Sequence, residues 1–250
     1  MIKILVSGAL GKMGANVISA IKTDDDVTAV CGVDRFEDLS GLIPVYDDIT
    51  KVTEQVDVVI DFSSPKALDG ILSFISKTGA SAVLCSTGYT AEDIEKINQA
   101  SKTNAIFRSA NMSLGVNVLI ELVKTAVKNL AGFDIEIIEK HHNLKVDAPS
   151  GTALMLADAV KEVDNDKFYV YGREGMVGKR NSNEIGIHAI RGGNIVGEHD
   201  VIFAGNDETI TLSHQATDRK VFAFGAVKAA KFVATKKNGL YNMTDLLNNK

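Results

Sequence analysis

Short apolar runs alternate with longer amphipathic stretches through the first part of the chain, and this alternation restricts the fold more than any other feature. Residues 2–7 (IKILVS), 27–34, 56–61, 82–85 and 105–108 read as strands, and residues 11–21, 66–77 and 91–102 carry helical periodicity between them. Strand–helix–strand repetition predicts a parallel sheet covered by helices on both faces, with right-handed crossovers. The pattern then changes. Residues 115–130 form one long amphipathic segment, 134–140 a strand, and 150–163 a helix for which Ser150 is a suitable N-cap. After a polar stretch at 172–183, three alternating runs (184–191, 195–204 and 208–216) are separated by short turn signals and predict an antiparallel meander. A helix at 222–235 and a tail at 239–247 follow. The predicted fold class is α/β, a doubly wound parallel sheet joined to a second α+β domain with an open mixed sheet.

Composition narrows the function classes. A chain of 250 residues that is 45% hydrophobic can bury a substantial core. Its formal net charge of -5 disfavours nucleic acid as a partner. Cys31 and Cys85 lie in apolar strand-like runs and read as buried free thiols, which suits a reducing compartment. The chain opens directly on a strand without the layout of a signal peptide. No apolar run approaches the ~20 residues needed to span a bilayer. The expectation is a soluble, cytoplasmic protein with no membrane partner.

Between the first strand and first helix lies Gly8-Ala9-Leu10-Gly11-Lys12-Met13-Gly14. Glycines here permit a tight turn and close approach to a pyrophosphate, and the helix N-terminus offers N–H groups and a positive dipole end. The spacing Gly-x-x-Gly-x-x-Gly departs from Gly-x-Gly-x-x-Gly, and alone it equally describes a Gly-rich turn. The second strand ends at Asp34-Arg35. An acidic residue about 20 positions past the glycines is placed for ribose hydroxyls, and a neighbouring Arg for a 2′-phosphate. Asp34 favours NADH and Arg35 favours NADPH, so the cofactor is read as either. Ser86-Thr87-Gly88 and Ser109-Ala110-Asn111-Met112 follow later strands, where ligands of such sheets bind.

All five histidines fall between positions 141 and 214. His141 and His142 are adjacent, and side chains of neighbouring strand residues point to opposite faces, so shared ligation of one metal is disfavoured and no metal site is predicted. General acid chemistry suits a His beside Lys145: the ammonium lowers the imidazole pKa and an anionic substrate raises it. Asp147-Ala148-Pro149-Ser150-Gly151-Thr152 follows and opens a helix. The N–H groups and hydroxyls of Ser150, Gly151 and Thr152 form a candidate carboxylate cradle; a capped helix without a ligand explains Ser150 equally well.

These stretches resemble the 4-hydroxy-tetrahydrodipicolinate reductase (dihydrodipicolinate reductase) family. The motifs carrying the resemblance are residues 8–14, residues 139–153 (EKHHNLKVDAPSGTA), Ile195-Val196-Gly197-Glu198-His199 and Gly239-Leu240-Tyr241-Asn242-Met243. It covers essentially the whole chain. The resemblance implies a Rossmann-type cofactor domain at residues 1–112 and 220–250, and a substrate-binding and oligomerisation domain at 113–219. It implies NAD(P)H-dependent reduction of a small dicarboxylate, with loss of water, in lysine biosynthesis through diaminopimelate. It implies His141 as the proton donor and acceptor and Lys145 as a second proton donor, with His142, Gly151 and Thr152 contacting substrate. Gly8 through Met13 with Asp34 match cofactor contacts, Arg35 the NADP-specific one, and residues 86–88 and 109–112 the nicotinamide-side loops. Ser86 stands where other members often carry Gly or Thr. The implied assembly is a homotetramer. A sugar dehydrogenase shares the two-domain plan, and Glu139-Lys140 resembles the Glu-Lys-Pro of that group, but His141 stands in place of the Pro. A dinucleotide-sensing regulator is the non-enzymatic alternative, against which the His141/Lys145 pair speaks.

Overall fold

The computed structural model describes residues 1–38 and 41–249. Leu39, Ser40 and Lys250, which fall within the expected cofactor domain, lie outside the described residues. The chain forms two compact units, Met1–Leu114 together with the stretch from Arg219 onward, and Gly115–Asp218.

The first unit is built on β1 (Ile2–Ser7), β2 (Val27–Val33), β3 (Val45–Tyr46), β4 (Val58–Asp61), β5 (Ser81–Leu84), β6 (Ala105–Arg108) and β12 (Gly239–Tyr241). These strands form one seven-stranded sheet in the order β12-β6-β5-β4-β1-β2-β3. Every pairing is parallel. The strands are short and nearly continuously apolar because both faces are covered. On one face α1 (Lys12–Ile21) and α6 (Lys220–Val233) pack Val17, Ala20, Ala226 and Ala230 against Ile4, Val6, Ile60 and Val83. On the other, α2 (Leu68–Thr78) and α3 (Ala91–Ala100) pack Ile71, Ile75 and Ile97 against Leu5, Val59 and Leu84. The chain reverses its direction of winding between β1 and β4, so Ser7 and Asp61, paired in register, stand at the switch point. The short strands β3 and β12 are not visible as periodic runs in the sequence, since two or three residues carry too little pattern.

The second unit contains α4 (Leu114–Asn129, its first residue in the first unit), β7 (Asp134–His141), α5 (Gly151–Val163), β8 (Phe168–Tyr171), β9 (Glu184–Arg191), β10 (Gly197–Ala204) and β11 (Thr209–Ala216). Its five-stranded sheet has the order β11-β10-β7-β9-β8. The expected three-strand meander is therefore corrected: β10 and β11 form a hairpin, but β7 lies between β9 and β10. β7 pairs parallel with β9 and antiparallel with β10, so residues 192–196 pass across its end. The physical reason is burial. Ile135 and Ile137 of β7 alternate with polar residues and need a neighbour on each side to complete the core with Ile185, Ile187, Val201 and Phe203. Helices α4 and α5 cover that face through Leu119, Val123, Leu156 and Val160. The opposite face carries an ion-pair cluster in which Arg173, Arg180 and His188 surround Glu136. Strand β8 escaped the sequence reading because its residues are half-exposed and do not alternate cleanly.

Phe203 is fully buried among the aliphatic side chains of this second core. Phe203→Ala is expected to destabilise the protein by about 3–5 kcal/mol, read as a lowered denaturant midpoint for the second unit.

Candidate active site

In the first unit, the loop after β1 meets α1 at very short range. Gly8 adopts φ +79°, a left-handed conformation. A Cβ on Gly14 would lie 2.1 Å from the Gly8 carbonyl oxygen. No side chain caps α1, whose N-cap is Gly11, so its first N–H groups are available to an anion. Leu10 and Lys12 are exposed, Ala9 is buried and Met13 half-buried. At the end of β2 the Asp34 carboxylate accepts hydrogen bonds from the N–H of Leu10 (2.9 Å) and of Arg35 (2.7 Å), while Arg35 itself is exposed. This cradle, closed to any residue larger than glycine at position 14, fits a dinucleotide pyrophosphate and ribose.

The neighbouring strand ends are joined by a group that sequence reasoning missed. Asp61 is fully buried, and its carboxylate accepts from the hydroxyls of Ser7 (2.8 Å) and Ser86 (2.6 Å), from the Ser63 hydroxyl, and from the Ser63 N–H (3.1 Å). It thereby ties the ends of β1, β4 and β5 together. Ser86 is thus held through its side chain, while Thr87 and Gly88 are exposed, Gly88 at φ +85°. In the 109–112 loop the Ser109 hydroxyl donates to the Asn111 carbonyl (2.8 Å), and Asn111 and Met112 are buried. Ala110 is exposed. Gly225 of α6 lets that loop approach, since a Cβ there would lie 1.7 Å from the Met112 carbonyl oxygen.

In the second unit the chemistry gathers at the His141 end of β7. Residues 135, 137, 139 and 141 share one strand face, so the apolar row of the core continues into Glu139 and His141. Glu139 is fully buried. Its carboxylate accepts two hydrogen bonds from Arg191 (both 2.7 Å), one from the Ser150 N–H (2.9 Å) and one from His141 Nδ1 (2.7 Å). Burial pushes the Glu139 pKa up, but these partners outweigh it and hold the group below the usual carboxylate value. His141 is pushed below its ordinary value, chiefly by burial, with Lys145 and Arg191 adding to this against the pull of Glu139. Directly across from Glu139 in the β7–β10 pairing stands His199, whose ring meets that of His141 edge-on at 5.3 Å. Its Nε2 lies 2.9 Å from the Ser150 hydroxyl.

The remaining predicted residues occupy the loop between β7 and α5. Because β7 ends at His141, His142 opens a turn, its carbonyl accepting from the Lys145 N–H (3.2 Å). The two histidines are thus separated by the end of the strand and not by alternation along it. Lys145 Nζ binds both oxygens of Asp147 (2.7 and 2.9 Å), and its ammonium is the main cause of the lowered Asp147 pKa. Arg191 also donates to the Asp147 carbonyl (2.6 Å), fixing this loop to β9. Ser150 is 2% exposed, its N–H is taken by Glu139, and its hydroxyl caps Ala153 and meets His199. Gly151 is exposed, with open space where a Cβ would point, and Thr152 is half-buried beside it. Glu139, Arg191 and His199 were missed as site residues. Their signal was present, a charged or titratable residue on the core-facing parity of each strand, but it depends on knowing the register.

The sequence itself matches the family description "Dihydrodipicolinate reductase, N-terminus" over residues 2–112 and "Dihydrodipicolinate reductase, C-terminus" over residues 115–247. The chain belongs to the dihydrodipicolinate reductase family. It is 53% identical to the 4-hydroxy-tetrahydrodipicolinate reductase of Caldanaerobacter subterraneus subsp. tengcongensis, over 99% of this chain and 98% of that one. It is 48% identical to the enzyme of the same name from Clostridium novyi, over the full length of both. In fold it is similar to the dipicolinate-bound dihydrodipicolinate reductase of Paenisporosarcina sp. TG-14, with a TM-score of 0.82 at 24% identity, covering 97% of each chain. Among the described residues no helix is long and apolar enough to cross a membrane.

His199 is buried, and this chiefly, with His141, His214 and Lys145 adding to it against the pull of Glu139, lowers its pKa to about 4. An unfolded His titrates near its ordinary value of about 6.5, so between these values the unfolded state binds the extra proton and stability falls as pH falls. His199→Gln should flatten this part of the stability profile from pH 6.5 down to about 4, measured as denaturant midpoint against pH.

Proposed function

We propose that this chain catalyses the NADH- or NADPH-dependent reduction of 4-hydroxy-tetrahydrodipicolinate to tetrahydrodipicolinate with loss of water, the reductase step of lysine biosynthesis through diaminopimelate. The observation that carries this reading is the arrangement of residues 139–152, in which a buried carboxylate orients His141 beside Lys145 and an exposed helix N-terminus, in a chain belonging to a family of such reductases over nearly its whole length.

A bound nicotinamide supplies the hydride. The first unit is the dinucleotide-binding domain. Gly8 through Met13 hold the pyrophosphate, Asp34 takes the ribose hydroxyls, and Arg35 accepts a 2′-phosphate where one is present. Ser86 through Gly88 and Ser109 through Met112 border the nicotinamide. In the second unit, the substrate-binding domain, the N–H groups of Gly151 and Thr152 and the Thr152 hydroxyl receive one carboxylate of the substrate at the dipole end of α5. His142 and Lys145 hold the other. For Lys145 this requires exchange of Asp147 for the substrate carboxylate, which preserves the charge pairing of the ammonium. His141 donates the proton that accompanies hydride addition, and a dianionic substrate favours its charged form. Lys145 is the second proton donor. That the Paenisporosarcina protein is dipicolinate-bound supports a pyridine dicarboxylate skeleton for the ligand.

The second unit also serves oligomerisation. The sheet face away from α4 and α5 exposes Phe168 and Ile190, and such a face suits pairing of copies into a homotetramer in the cytoplasm. A monomeric mass by light scattering would remove this part of the reading.

The activity is tested by following NADPH absorbance with substrate generated in situ from pyruvate and aspartate semialdehyde by the preceding synthase. Oxidation should depend strictly on the synthase; tight NADPH binding without oxidation, or oxidation only with a sugar, would overturn the assignment. His141→Gln should lose about 10²–10⁴-fold in kcat with NADPH affinity unchanged. Lys145→Ala should lower kcat and raise KM for the substrate together.

A further inference from the structure

The proposed chemistry uses His141 but leaves open which of its ring nitrogens transfers the proton and what decides it. Glu139 and Arg191 face its ring from β7 and β9, His199 from β10, and Lys145, paired with Asp147, from the following loop. Glu139 and Gly197 lie beside different nitrogens of the ring. Glu139 meets Nδ1 at 2.7 Å, and all its remaining acceptor directions are filled by Arg191 and the Ser150 N–H. An ionised carboxylate only accepts hydrogen bonds, so the proton between it and the ring resides on Nδ1. On the other side of the ring, Gly197 opens β10. A Cβ at that position would lie 3.1 Å from Nε2 and 3.5 Å from Cδ2. Gly197 does not have a positive φ, so backbone conformation does not require glycine there. The reason left for glycine is the space beside Nε2.

We propose that Glu139 and Gly197 are positioning residues that together make Nε2 of His141 the proton-transferring atom, Glu139 by fixing the proton on Nδ1 and Gly197 by keeping Nε2 clear. This rests on the reading of His141 as the proton donor. Arg191 completes the device. Its positive charge balances Glu139, so the carboxylate orients the ring without itself forcing a second proton onto it. The free enzyme therefore holds His141 neutral, in agreement with its lowered pKa. The second proton binds at Nε2 when an anionic substrate arrives, next to the atom that needs it. His199, neutral and edge-on to the ring, adds no competing charge at physiological pH.

Nitrogen-15 NMR of the labelled full-length protein near pH 7 reads the tautomer directly, with the His141 signals assigned by their loss in His141→Gln. The wild type should show the Nδ1–H tautomer. In Glu139→Gln only one acceptor oxygen remains and Arg191 claims it, so the amide group faces Nδ1 as a donor. The ring should then switch toward Nε2–H, and kcat should fall about 10²-fold with KM for NADPH unchanged. Gly197→Ala leaves the Glu139–Arg191 pair intact, so the tautomer should stay Nδ1–H while kcat drops roughly 10-fold or more. An Nε2–H tautomer in the wild type, wild-type turnover in Glu139→Gln, or wild-type turnover in Gly197→Ala would each overturn the proposal. Should Glu139→Gln fail to fold, the wild-type spectrum and Gly197→Ala still decide. Failure of the underlying reading is distinguishable, because it would appear as normal turnover in His141→Gln with the wild-type tautomer still Nδ1–H.

Discussion

Glu139 is fully buried at the end of the central strand of the second sheet, and its two oxygens accept four hydrogen bonds. Two come from Arg191 on the parallel neighbour β9, one from the backbone where α5 begins, and one from His141 two residues along its own strand. Burying an isolated carboxylate would cost far more than a single hydrogen bond returns. The bidentate Arg191 pair and the filled acceptor directions offset that cost, and in doing so they fix the relative placement of two strands, a helix start and a titratable ring. The loop carrying Lys145 is fastened to the same assembly through Arg191 and the Asp147 carbonyl. Loss of this one carboxylate would leave Arg191, the Ser150 N–H and the His141 ring without the acceptor they share.

The first unit solves a related problem at its own strand ends. Asp61 gathers hydroxyl and N–H donors from the ends of β1, β4 and β5 at the point where the winding of the sheet reverses. Here serine hydroxyls satisfy the acceptors. Close approach governs the rest of this crevice. Gly14 and Gly225 allow backbone to meet backbone, bringing α1 onto the β1 loop and α6 onto the 109–112 loop. Rigid strand ends and uncapped helix N–H groups are what a pyrophosphate needs, because the donors are then oriented before the ligand arrives.

The long periodic segments were legible in the sequence because one buried face imposes a repeat on them. The five early strands, the helices between them and the two long helices of the second unit all fall close to where the apolar spacing puts them. The meander failed for a specific reason. Local alternation shows that residues 184–191 and the run ending at 204 are strands with a short connection, and a hairpin is the cheapest local reading. That β7 inserts between them is decided by long-range burial of Ile135 and Ile137, to which a short window is blind. Ser150 was legible as an N-cap, yet its loss to the protein interior was not, since it depends on Glu139 and His199 arriving from two other strands.

The sequence by itself determined that there is a glycine-rich loop between a strand and a helix, an Asp at the following strand end, and a His-His-x-x-Lys segment ahead of a capped helix. These are local facts, settled by residues close together in the chain. Only the tertiary structure decided which nitrogen of His141 is held and by what, that Arg191 shares the carboxylate that orients it, and that Gly197 leaves room beside it. Those depend on strand order and register. Glu139 sits 52 positions from Arg191 and 60 from His199, and only pairing of β7 with β9 and β10 brings the three together.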